Sequence, residues 1–91
     1  MVFKPAHFFV FFFLFEIMAT SNKDILKIFG KNLRRIRMEK GLSQRGLSSL
    51  CNIDNADISR MENGQVNVSL STISQLADAL EIPFLKLLKP E

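Results

Sequence analysis

The chain has 91 residues and a mass of 10.4 kDa, room for one domain and none for a multidomain enzyme, because a domain takes roughly 100–200 residues. One cysteine, Cys51, and one histidine, His7, argue against a disulfide scaffold, a zinc module or a thiol–histidine hydrolase. The net charge of +3 conceals an asymmetry: residues 23–46 hold eight Lys/Arg against Asp24 and Glu39, whereas residues 47–91 hold three against six acids. Such a one-sided field suits a polyanion better than a uniformly cationic role.

The first segment is set apart by composition. Seven of the nine phenylalanines fall within the first fifteen residues, and the run from Phe8 to Phe15 carries no charge. It is too short to span a bilayer, which takes about 20 apolar residues. Lys4 ahead of an apolar stretch resembles a signal peptide, but Glu16 and Ile17 stand where small residues would mark cleavage. Three readings stay open: an AT-rich leader translated ahead of a true start at Met18, a signal or anchor, or a hydrophobic arm. The expected organisation is a hydrophobic leader over 1–17, not native or disordered, followed by one folded domain over 18–91.

From Met18 onward the signals are helical. Ser21 followed by Asp24 gives a capping-box-like start. Ile25, Phe29, Leu33 and Ile36 then recur at helical spacing until Gly41 supplies a left-handed stop. Ser43 opens a second helix, Gln44 to Cys51, with Leu47 and Leu50 as its apolar positions, and Asn52 is expected to turn the chain through positive φ. Asp54 with Asp57 caps a third helix, Asn55 to about Asn63, which buries Ile58 and Met61 and ends before Gly64. Ser69 caps a fourth, Leu70 to about Glu81, with Leu70, Ile73, Leu76, Ala77 and Leu80 inside. Pro83 starts a fifth carrying Phe84, Leu87 and Leu88. The expectation is a compact, all-α, five-helix domain whose second and third helices form a helix-turn-helix.

The stretch SQRGLSSLCNIDNADISRMENG (43–64), flanked by GKNLRRIRMEKGLSQ and LSTISQLADALEIPF, resembles the helix-turn-helix of the family that includes lambdoid phage Cro and repressor proteins and the XRE-type regulators. The resemblance covers roughly residues 25–88. This chain departs from the pattern at Ser48, where the family favours Ala, so that its hydroxyl needs a backbone carbonyl or an edge. Asn52 replaces the usual turn Gly, Val68 stands where Pro is common, and Gly46 replaces a helix former at about 1 kcal/mol in propensity.

The resemblance implies a sequence-specific regulator of transcription, most simply a repressor, that binds double-stranded DNA as a homodimer. The third helix would enter the major groove. Asn55 would pair with adenine, Arg60 with guanine or a phosphate, and Ala56 would touch a thymine methyl, with Ser59 permissive. Asp57, an acid beside phosphates, would either accept from cytosine or serve the cap, and the cap is the better reading. Gln44 would contact phosphate from the start of the second helix, with a brace to Asn55 as its other use, and Asn63, Gln65 and Asn67 would add donors from the loop after the third.

The resemblance also implies that Arg37 and Glu62 form a structural ion pair clamping the reader helix. Lys31, Arg34, Arg35, Lys40 and Arg45 supply a nonspecific field. By the same resemblance Phe84, Leu87 and Leu88 form the expected dimer interface, although each could equally belong to the core. No cofactor, metal, small-molecule ligand, membrane or catalytic role is expected, and the location is cytoplasmic. An antitoxin with a toxin partner, a restriction–modification controller and a protein–protein adaptor reusing the fold are the rival readings.

Overall fold

The computed structural model describes residues 22–90. The leader expected over 1–17, His7 within it, and the Ser21 hydroxyl of the first capping signal lie outside the described residues. Within them the chain forms α1 (Asn22–Glu39), α2 (Gln44–Leu50), α3 (Asn55–Glu62), α4 (Leu70–Leu80) and a 3₁₀ turn (Phe84–Leu87), with no strand. None of these helices is long and apolar enough to cross a membrane.

Side chains start the helices where the sequence signals them. Ser43 Oγ accepts from the Gly46 amide at 2.9 Å, Asp54 Oδ1 from Ala56 at 3.3 Å and Ser69 Oγ from Thr72 at 3.2 Å, each worth about 1 kcal/mol. The stops are backbone devices. Gly41 and Gly64 take φ of 71° and 68°, and behind them the Leu42 and Gln65 amides reach the Arg37 and Arg60 carbonyls. α4 ends the same way on Glu81, a non-glycine residue at φ 56°, with Ile82 donating to Ala77.

The core joins Phe29, Leu33 and Ile36 of α1 with Leu47 of α2, Ile58 and Met61 of α3, four residues of α4 and Leu87. α1 crosses α3 at Gly30, where a Cβ would stand 2.5 Å from the Met61 carbonyl oxygen and 2.7 Å from that of Glu62. Only a residue without a side chain lets these backbones approach. The buried Asn32 amide donates to the Leu87 and Lys89 carbonyls at 2.9 and 2.8 Å, tying the end of the chain to α1.

Several expectations need correction. The fifth helix is a single 3₁₀ turn, because only four residues separate Pro83 from Leu88. Leu50 and Leu70 are 56% and 71% exposed; each sits at a helix end, beyond the stripe the core covers. Asn52 does not take positive φ, and Glu81 is the only non-glycine residue among those described that does. Of the two places open to Leu87, interface or core, it takes the core, completely buried in this chain's own interior, whereas Leu85 on the same turn is 53% exposed.

Candidate nucleic-acid interface

The site is built from the corner between α2 and α3. Ser48, whose hydroxyl needs a partner, donates to the Ile53 carbonyl at 2.6 Å and so braces the turn that sets the two helices. Cys51 packs beside it, its Sγ 3.3 Å from the Leu47 carbonyl. Burial pushes its thiol pKa up, opposed by the Ile53 backbone, which keeps the sulfur protonated and a poor nucleophile at neutral pH.

α3 is anchored from behind. Arg37 donates through Nε to Glu62 Oε2 at 2.6 Å and through Nη2 to Oε1 at 3.0 Å, while Nη1 holds the Leu42 carbonyl at 2.7 Å. One guanidinium thus joins α1, the loop before α2 and the last residue of α3. Side-chain exposure is 11% for Arg37 and 3% for Glu62. The hydrogen bonds to Glu62 raise the Arg37 pKa against an opposing effect of burial, so the guanidinium keeps its charge.

Gln44 joins the same cluster. Its Nε2 donates to Glu62 Oε1 at 3.1 Å, so the brace runs to Glu62 and not to Asn55. One Nε2 hydrogen and the side-chain oxygen are left for a ligand.

The outward side of α3 differs. Ile58 and Met61 are buried, which turns Asn55, Ala56, Ser59, Arg60 and Asn63 outward or to the rim. Ala56, Arg60 and Asn63 are exposed, Asn55 and Ser59 half-buried. The Asn55 amide and the Ser59 hydroxyl make no side-chain hydrogen bond with the described residues. Asn63 is partly engaged, its Nδ2 donating to the Ser59 carbonyl at 3.0 Å. Gln65 and Asn67 stand exposed in the following loop.

Asp57 does not share the cap. Its Oδ1 accepts from Arg60 Nη1 at 2.7 Å, and Asp54 alone caps the helix. Arg35 of the basic field pairs with Glu39 at 3.3 Å, a surface contact worth little by itself. Lys31, Arg34, Lys40 and Arg45 are exposed. Phe84 and Leu88 are half-buried against the core.

Sequence reasoning missed Gly30, although an isolated glycine inside a periodic helix is a signal of close packing. It missed Asn32, a polar residue on an apolar stripe. It also missed the Asp57–Arg60 pair, which opposite charges three apart on a helix announce. Among the described residues no cluster of His, Cys, Asp and Glu could hold a metal.

The chain is 34% identical over 68 residues, 75% of its length, to a hypothetical transcription factor of Neisseria meningitidis, of which it spans 64%, just under two thirds. It is 33% identical over 67 residues to an HTH-type transcriptional regulator of Sinorhizobium fredii, covering 74% of this chain and 87% of that one. Among solved structures it resembles a restriction-modification controller protein of Aeromonas hydrophila, with a TM-score of 0.66 and 45% identity over 68% of this chain and 94% of that one. Residues 33–87 match the helix-turn-helix family HTH_3, and the chain belongs to this XRE-type family of DNA-binding transcription regulators.

Proposed function

We propose that this chain binds a specific duplex sequence as a homodimer, each copy placing α3 in the major groove of one half-site, and represses transcription from the promoter it covers. The observation that carries the reading is the division of α3: Glu62 at its end is locked by Arg37, while Asn55, Ala56, Ser59 and Arg60 keep side chains toward solvent. An α-helix fits the major groove, and Asn and Arg match the acceptor and donor edges of adenine and guanine. Gln44, Asn63, Gln65 and Asn67 are the phosphate contacts that fix register. Phe84 and Leu88, joined by the exposed Leu85, form the face offered to a second copy.

Selection of bound duplexes from a random pool tests this. The parent protein should enrich a twofold-symmetric site with half-sites about one helical turn, roughly 34 Å, apart. Asn55→Ala and Arg60→Ala should each lose preference at one base pair per half-site. If both variants return the parent motif, α3 is not the reader. Affinity should fall with rising salt at a log–log slope of about −0.9 per phosphate contacted; an adaptor of proteins would show no duplex binding even at low salt.

A restriction–modification controller is the second reading, favoured by the 45% identity to such a protein over 94% of that chain. Neighbouring genes for a nuclease and a methyltransferase would support it over the first.

A further inference from the structure

The outward face of α3 carries an acid that a DNA-binding surface has reason to avoid. Asp57 is about half exposed, as is its partner Arg60, and a carboxylate in a groove lined by phosphates is repelled by them. The geometry of the pair gives it a use. Asp57 Oδ1 engages Arg60 through Nη1 alone, at 2.7 Å, and the Nε and Nη2 edge of Arg60 donates to none of the described residues. Arg37 distributes its donors in the same way: Nη1 goes to a single oxygen of the scaffold, and the Nε and Nη2 edge takes two acceptors at 2.6 and 3.0 Å. Guanine presents such a pair of acceptors, O6 and N7, in the major groove.

An exposed arginine without Asp57 would have a long, freely rotating stem and a full positive charge, and the nearest phosphate would compete for it. Asp57 neutralises that charge at short range and restrains the guanidinium, so attraction to the backbone is weakened while the two-donor edge persists. We propose that Asp57 is a positioning residue that commits Arg60 to guanine instead of phosphate, trading affinity for discrimination. This rests on α3 being the groove helix.

The test is selection from random duplexes, with salt titrations, on Asp57→Ala, Asp57→Glu, Arg60→Ala and Asn55→Ala, each confirmed as folded by circular dichroism. The parent should enrich guanine at one position per half-site, and Arg60→Ala should abolish that preference. Asp57→Ala should lower it by about tenfold, bind unrelated duplex more tightly, and steepen the salt slope by about 0.9 per protomer as Arg60 moves to a phosphate. Asp57→Glu, which can still reach Arg60, should restore the guanine preference.

If Arg60→Ala loses guanine while Asp57→Ala keeps both the preference and the slope, the acid is only a surface partner and the proposal falls alone. An unchanged motif in Arg60→Ala overturns it too. If Asn55→Ala is also without effect, the reading of α3 as groove helix falls with it.

Discussion

The two faces of α3 follow opposite rules. On the inner face, Ile58 is fully buried, Met61 nearly so, Glu62 is held by Arg37 and Gln44, and the α1 backbone presses on its last turn through Gly30. On the outer face, side chains hydrogen-bond only within their own helix, as Arg60 does to Asp57 and Asn63 to the Ser59 carbonyl, or to none of the described residues. A reading helix needs both: contacts behind that fix its position, and groups in front whose hydrogen bonds remain to be made with a ligand.

Substitutions should therefore separate stability from binding according to face. The largest effect is expected from Glu62→Ala, which strands the buried Arg37 charge and should lower unfolding free energy by about 3–5 kcal/mol. Urea denaturation measures it, and replacing both partners by apolar residues should recover much of the loss. Gly30→Ala should cost about 1–3 kcal/mol through overpacking against two carbonyl groups, even though alanine is the better helix former by about 1 kcal/mol; a rise in thermal midpoint would refute the close crossing. Asp54→Ala should cost about 0.5–2 kcal/mol by removing the cap of α3, visible as faster amide exchange at Ala56. Smallest of all, Asn55→Ala should change stability by no more than about 0.5 kcal/mol while lowering affinity for the selected duplex by about 1–3 kcal/mol. A large stability loss there would mean that the outer face is structural.

Much of the fold is legible in the order of residues. Ser43, Asp54 and Ser69 announce helix starts, and Gly41 and Gly64 announce stops, because capping and positive φ are local requirements met by few residue types. Whatever depends on distant neighbours is not legible in this way. Leu50 and Leu70 fit apolar positions by spacing, yet the core does not extend over the helix ends that carry them. Leu87 fits the core or a second copy equally well by its pattern, and Asn32 draws that turn onto α1. Asp57 could serve the cap or Arg60 with equal reach along the helix, and a rotamer settles that choice.

The succession of side chains thus determined by itself where the helices capped by Ser43, Asp54 and Ser69 begin and where those closed by Gly41 and Gly64 end, since those follow from interactions spanning three or four residues. The tertiary structure decided which members of each stripe are covered, that Gln44 leans on Glu62, and that Gly30 must stay bare. These depend on how two helices cross, and crossing geometry is set by all the packed residues at once.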